Sequence, residues 1–127
     1  MIVRNITEQT KTGHLHQVAF GNMETVRLIL AEDQAGFSIS EVKVTRPMDV
    51  VLQYKHHIEA NIFLSGGGTV ENLSSGEIFE VHAGVTYIVF PQDRHRVKLS
   101  AGTRLICVFN PPLKGDENHN QEGGYEA

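Results

Sequence analysis

The chain has one cysteine, Cys107, among its 127 residues, so neither an intrachain disulfide framework nor a cysteine-based zinc knuckle holds it together. It has no excess of positive charge: eleven Lys and Arg stand against fifteen Asp and Glu, a formal net charge of −4. That balance argues against a nucleic-acid groove or a polybasic membrane patch. No apolar run approaches the roughly 18 residues of a membrane span. The opening Met1-Ile2-Val3-Arg4-Asn5 lacks the long apolar region of a signal peptide. The expectation is one soluble domain, residues 1–127, in the cytoplasm. A domain of this length buries roughly two-thirds of its unfolded surface, enough for a core without staples.

Tryptophan is absent, while glycine occurs twelve times and phenylalanine six, a composition of short strands and many turns. Alternating or β-branched runs predict strands at Thr25–Ala31, Ser38–Thr45, Ala60–Ser65, Thr69–Leu73, Ile78–Val81, Thr86–Phe90, Arg96–Ser100 and Thr103–Phe109. Turn signals separate them, among them Gly66-Gly67-Gly68, Ser74-Ser75-Gly76 and Ala101-Gly102. A spacing of roughly 8–12 residues is that of a β-sandwich or barrel, not of βαβ units. One helix is predicted at Ile6–Lys11, with Asn5 as its N-cap and Glu8 three residues on. After Pro111-Pro112 the chain turns polar and Gly-rich, with Tyr125 its one aromatic. By composition alone that segment reads as a frayed tail.

Strand parity sorts the candidate chemistry, because alternate residues share a face. His57, Glu59, Asn61 and Phe63 point one way. Tyr87 and Val89 share a face whose parity extends through Pro91 and Asp93 to His95. A small barrel has one inside, where His57, Glu59, Tyr87 and His95 would converge. An isolated His or Tyr on a strand is ordinarily a hydrogen-bonded core or surface residue. A carboxylate, an imidazole and a phenol together in an apolar barrel are costly unless something satisfies them. Their oxygen and nitrogen donors suit a divalent metal such as iron or zinc.

Two spacings, Glu59-x6-Gly66 and Gly84-x6-Pro91-x3-His95, resemble the paired motifs of the cupin superfamily. Val51-Leu52-Gln53 stands where the first motif carries His-x-His, so the usual three-His-one-Glu site is not available. A more specific resemblance covers essentially the whole chain. Met1-Ile2-Val3-Arg4-Asn5, Tyr54-Lys55-His56-His57-x-Glu59-Ala60, Asp93-x-His95, Cys107-Val108-Phe109-Asn110-Pro111 and the tail Leu113-x-Gly115-x-Glu117-x-His119 resemble the ectoine synthase family. That resemblance implies an all-β, cupin-type double-stranded β-helix barrel over residues 1–110. Residues 111–127 would form a C-terminal lid with Gly115 and Gly123-Gly124 as hinges. It also implies a cytoplasmic homodimer, usually iron (Fe2+) dependent, of the compatible-solute pathway. The reaction would close N-γ-acetyl-L-2,4-diaminobutyrate into ectoine with loss of water.

Residue by residue, the resemblance implies Glu59, Tyr87 and His95 as metal ligands. Arg27, Tyr54, His57, Asp93, Phe109, Glu117 and His119 would line the substrate site, with Ser40 where the family usually has Asn. Arg27 is suited to clamp a carboxylate, Tyr54 or Glu117 to act as the base, and His57 to orient Glu59 or the substrate. Met23 and Val89 stand where the family usually has Trp, and Val42 where it has Thr. These departures leave two further readings, a related cupin acting on another amino-acid amide and a non-catalytic solute-binding cupin.

Overall fold

A computed structural model describes residues 1–12, 15–17, 20–117, 119 and 123–125. The fold is all-β. Helix α1 (Ile6–Lys11) lies where it was predicted, and the Asn5 side chain accepts hydrogen bonds from the Thr7 and Glu8 amides at 2.8 and 3.3 Å. Ten strands follow among the described residues: β1 (Leu15–Gln17), β2 (Met23–Ile29), β3 (Ser38–Val44), β4 (Met48–Leu52) and β5 (Ile58–Ser65), then β6 (Gly67–Asn72), β7 (Ile78–His82), β8 (Thr86–Val89), β9 (His95–Leu99) and β10 (Arg104–Asn110). They form a six-stranded sheet in the order β1-β2-β3-β10-β5-β8 and a four-stranded sheet in the order β4-β9-β6-β7.

All the pairings are antiparallel, so side chains directly opposite one another share a face. The inner faces meet around Phe63, Val44, Val97 and Leu99, all buried. Two strands escape the sequence pattern. β1 is three residues long, and β4 (Met-Asp-Val-Val-Leu) buries only its ends, Met48 and Leu52, while Asp49 is exposed. The parity that ran on from Val89 breaks at the turn: Pro91 is exposed and Asp93 half-buried, and a separate strand begins at His95.

The C-terminal segment is anchored rather than frayed where it is described. Leu113 has no solvent exposure, its N–H donates to Ser38 Oγ (3.0 Å), and its carbonyl accepts from Ala31 N–H (2.8 Å). Gln53 N–H donates to the Gly123 carbonyl at 3.1 Å. A Cβ on Gly123 would collide with the Val51 carbonyl, and one on Gly124 with the Gln53 carbonyl. Glycine at both positions therefore serves close backbone approach between the tail and the end of β4. No helix of the described residues is long and apolar enough to cross a membrane.

Candidate active site

The register of the six-stranded sheet aligns one inward row across five adjacent strands. Arg27 on β2 stands opposite Ser40 on β3, Ser40 opposite Cys107 on β10, Cys107 opposite Asn61 on β5, and Asn61 opposite Tyr87 on β8. All of them line a cavity between the sheets. Toward the mouth the next row pairs Phe109 with Glu59, which also line it. The opposite wall is apolar, built from Met48, Leu52, Val97 and Leu99 of the smaller sheet.

Arg27 is 2% exposed. Its Nη1 donates to Ser40 Oγ and its Nη2 to the Glu117 carbonyl, both at 3.5 Å, and its Nε has no partner among the described residues. Glu41, a carboxylate on the adjoining strand, is instead paired with Arg104 at 2.6 Å. A buried guanidinium held by long, neutral contacts, with the Glu117 carboxylate near enough to feel its charge but engaged by its own turn, is an incomplete anion site.

At the mouth an aromatic cluster joins barrel and tail. The Tyr54 hydroxyl is 2.8 Å from His119 Nε2. Tyr125 lies with its ring centroid 4.6 Å from His119, 5.2 Å from Tyr54 and 5.5 Å from Phe109. Burial, joined by the charge of Arg27, pulls the His119 pKa down to about 4, so the ring is neutral. Burial, with the Glu59 charge adding to it, pushes the Tyr54 phenol well above its ordinary value. Phenol and imidazole are both neutral, and the tautomer of the ring sets which of them donates.

Glu59 is fully enclosed, and burial raises its carboxyl to about 7, against a smaller opposing effect of the Asn61 amide. Burial also drives the Tyr87 phenol upward, reinforced by Glu59. Tyr87 lines both the main cavity and a smaller one that it shares with His95, with 6.3 Å between the two ring centroids. His95 Nδ1 lies 3.0 Å from the Asp93 carbonyl and must carry the proton, because a carbonyl only accepts. Burial holds His95 neutral, so its Nε2 presents a buried lone pair with no partner among the described residues. An imidazole pinned through Nδ1–H with an orphaned Nε2 is the arrangement metal-binding histidines adopt. Tyr87 lies between this imidazole and the Glu59 carboxyl, whose charge acts on the phenol, and the chemistry of these three donors fits a divalent metal. No group of three or more His, Cys, Asp or Glu able to hold a metal occurs among the described residues, so a site here would need the Tyr87 phenol as a donor.

Arg27, Ser40, Tyr54, Glu59, Tyr87, Phe109 and His119 thus reach the main cavity. His57 is buried behind Phe109 and Tyr125, at 5.8 and 6.0 Å between centroids, with Nδ1 unpartnered among the described residues. Asp93 is occupied by the β8–β9 turn, where its carboxylate accepts the Phe90 N–H at 2.9 Å. The Glu117 carboxylate accepts the Lys114 and Gly115 N–H groups at 2.6 and 2.8 Å. Burial pushes Glu117 up, and these amides, its own N–H and Arg27 overcome it, so the net shift is downward. Sequence reasoning assigned no site role to Tyr125, Asn61 or Cys107. For Asn61 the signal was present, since it shares the parity of Glu59.

A family model for ectoine synthase matches residues 1–127. The L-ectoine synthase of Teredinibacter turnerae is 36% identical over 126 residues, covering 99% of this chain and 96% of its own. The chain belongs to the ectoine synthase family. It is accordingly an enzyme, of the lyase type. The crystal structure of ectoine synthase from P. lautus superposes with a TM-score of 0.85 at 30% identity, covering all of this chain and 91% of that one. An RmlC-like cupin from Shewanella frigidimarina (TM-score 0.60, 18% identity, 76% of this chain and 82% of that one) shows the same fold. Membership in the ectoine synthase family thus sits on a cupin barrel, as expected.

Proposed function

We propose that this enzyme makes ectoine by closing N-γ-acetyl-L-2,4-diaminobutyrate with loss of water, in a metal-dependent reaction inside the barrel. The observation that carries the reading is Arg27, a buried cation short of an anion, in one cavity with Glu59 and Tyr87. The substrate carboxylate binds the Arg27 fork. Glu59, Tyr87 and His95 would hold the cation, iron by family resemblance, which when bound supplies Lewis acidity toward the acetyl carbonyl oxygen.

The chain's own groups do the rest. An α-ammonium group titrates near 8 and must lose a proton before its nitrogen can attack. His119, hydrogen-bonded to Tyr54, is the acceptor that reaches the cavity. Beside burial, the Arg27 charge depresses it, so a carboxylate neutralising Arg27 raises the basicity of His119 as the substrate binds. Glu117, engaged by its own turn, serves as the alternative base only if that turn opens. The amine nitrogen then bonds to the acetyl carbon, and the carbonyl oxygen leaves as water with two protons, one the ammonium proton returned by the Tyr54–His119 pair and the other lost by the attacking nitrogen as the C–N double bond forms. Folding nucleophile and electrophile of one molecule together supplies up to about 7–11 kcal/mol. Phe109 and Tyr125 exclude water, which strengthens every charge interaction inside.

A second copy completes the working unit. Ile62, Leu64, Ile88 and Phe90 are exposed on the outer face of the six-stranded sheet, where a solvated antiparallel face is ordinarily polar. That face supports a homodimer. Met23 and Val42 in the cavity wall favour, as the second reading, a related amide substrate of different shape. The deciding experiment incubates iron-loaded protein with N-γ-acetyl-L-2,4-diaminobutyrate and follows ring formation by NMR. Ectoine is expected, and an unchanged substrate would move the assignment to the second reading.

A further inference from the structure

Asn61 carries an inference beyond this reaction scheme. It is 2% exposed and faces the cavity, and apart from the neighbouring Glu59 carboxyl, whose pKa its amide lowers, neither Oδ1 nor Nδ2 meets a partner in hydrogen-bond geometry among the described residues. Buried side-chain amides are almost always satisfied, so one with both functions open needs an explanation. Packing does not supply it, because an apolar side chain of the same shape would fill the space without the desolvation cost. Position does. Asn61 stands between Cys107 and Tyr87 in the row that begins at Arg27, three strands away. Adjacent strands are about 4.8 Å apart, so Asn61 lies roughly 14 Å from Arg27 along a curved sheet, and the Arg27 side chain closes part of that distance. A small molecule anchored at Arg27 by a carboxylate thus brings the group a few bonds along its chain to Asn61.

A carboxamide offers a donor and an acceptor on adjacent atoms, and a substrate amide offers the complementary N–H and C=O. An alkylammonium offers donors alone and leaves Nδ2 unpaired. We propose that Asn61 is a substrate-recognising residue whose carboxamide reads the acyl-amide group of the substrate, so that the cavity selects the acylated molecule over its free amine. This rests on the reading of the substrate as an acylated diamino acid and adds the residue that tells it from its precursor.

Two probes that cannot cyclise separate the possibilities: 4-acetamidobutanoate, with carboxylate and amide but no nucleophile, and 4-aminobutanoate, its amine. Binding of each to the iron-loaded full chain is measured by calorimetry for the wild type, Asn61→Leu and Asn61→Val. The wild type is expected to prefer the amide about tenfold or more, the scale of one buried polar match. Asn61→Leu is expected to bring the ratio near one while its ligand-free melting temperature rises. Retained discrimination in either variant overturns the proposal, as does a wild type without preference. A lower melting temperature in both variants also overturns it, because Asn61 is then a structural group. Amide preference lost in the variants, in an enzyme that leaves N-γ-acetyl-L-2,4-diaminobutyrate untouched, refutes the ectoine assignment and keeps the role of Asn61.

Discussion

Acid should release the tail from the barrel, with His119 as the trigger. Docked against Tyr54, Tyr125 and Phe20, the ring has a pKa of about 4, against an ordinary 6.5. The docked state therefore binds fewer protons than the released state between those two values, and docking weakens as pH falls through that window. A shift of one unit corresponds to 1.36 kcal/mol, so the whole effect is ~3 kcal/mol, complete below pH 4. From pH 7 to pH 5 the ratio of docked to released tail should fall about 20-fold, an upper figure because the ring keeps some solvent contact.

The groups around the ring do not mask this. The Tyr54 and Tyr125 phenols stay neutral because burial pushes both upward. Glu117 is shifted down, away from the window, by the Lys114 and Gly115 amides, its own N–H and Arg27, which outweigh its burial. His57, against Tyr125, is also lowered and contributes in the same direction, so a control is needed. Hydrogen exchange of peptides spanning 111–127, corrected for the intrinsic pH dependence of exchange, reads the ratio directly. His119→Gln keeps a partner for Tyr54 and cannot titrate, so its protection should vary much less between pH 7 and pH 5. Equal pH dependence in wild type and His119→Gln, or none in either, refutes the reasoning.

Three further outcomes are expected. Glu59→Ala should abolish iron uptake, measured by metal analysis, without unfolding the barrel, and unchanged metal content would mean that another residue is the ligand. Ending the chain after Lys114 should leave a folded, metal-binding barrel with activity reduced about a hundredfold or more, whereas ending it after Pro112 should also cost ~2–4 kcal/mol of stability, because the fully buried Leu113 is lost; full turnover by the longer form would defeat the lid argument. Ile62→Lys combined with Ile88→Lys, exposed at 42 and 51%, should convert a dimer to a monomer in light scattering without lowering the melting temperature of the monomer, and an unchanged mass would place the interface elsewhere.

Much of this was legible in the residues, for identifiable reasons. The helix was exact because its cap is local: Asn5 bonds to amides two and three residues away. Strands with one buried face were found because alternation survives in them, as in β10, whose Leu105, Cys107 and Phe109 are buried in turn. β4 escaped because Val50 and Val51 are both half-buried and blur its period. Composition marks the tail as frayed, whereas its described residues are held by backbone contacts beside β4 and by Leu113, which no local pattern reports. Parity placed Glu59 and Asn61 on one face, yet the continuous row from Arg27 to Tyr87 depends on the register of five strands, information that exists only between strands.

That row also bears on the departures from the family pattern. Ser40 is the one departure inside it. Val42 faces Leu105 and Thr25, one level away on the apolar side, and Met23 faces Val44 beyond that. Val89 faces Glu59 across the β5–β8 pair and lines the smaller cavity with His95. Three of the four departures are thus apolar side chains that shape the space around the polar row without adding or removing a charge. A change of substrate carried by these three positions would be a change of fit, at Met23 and Val42 against the wall they form with Leu105.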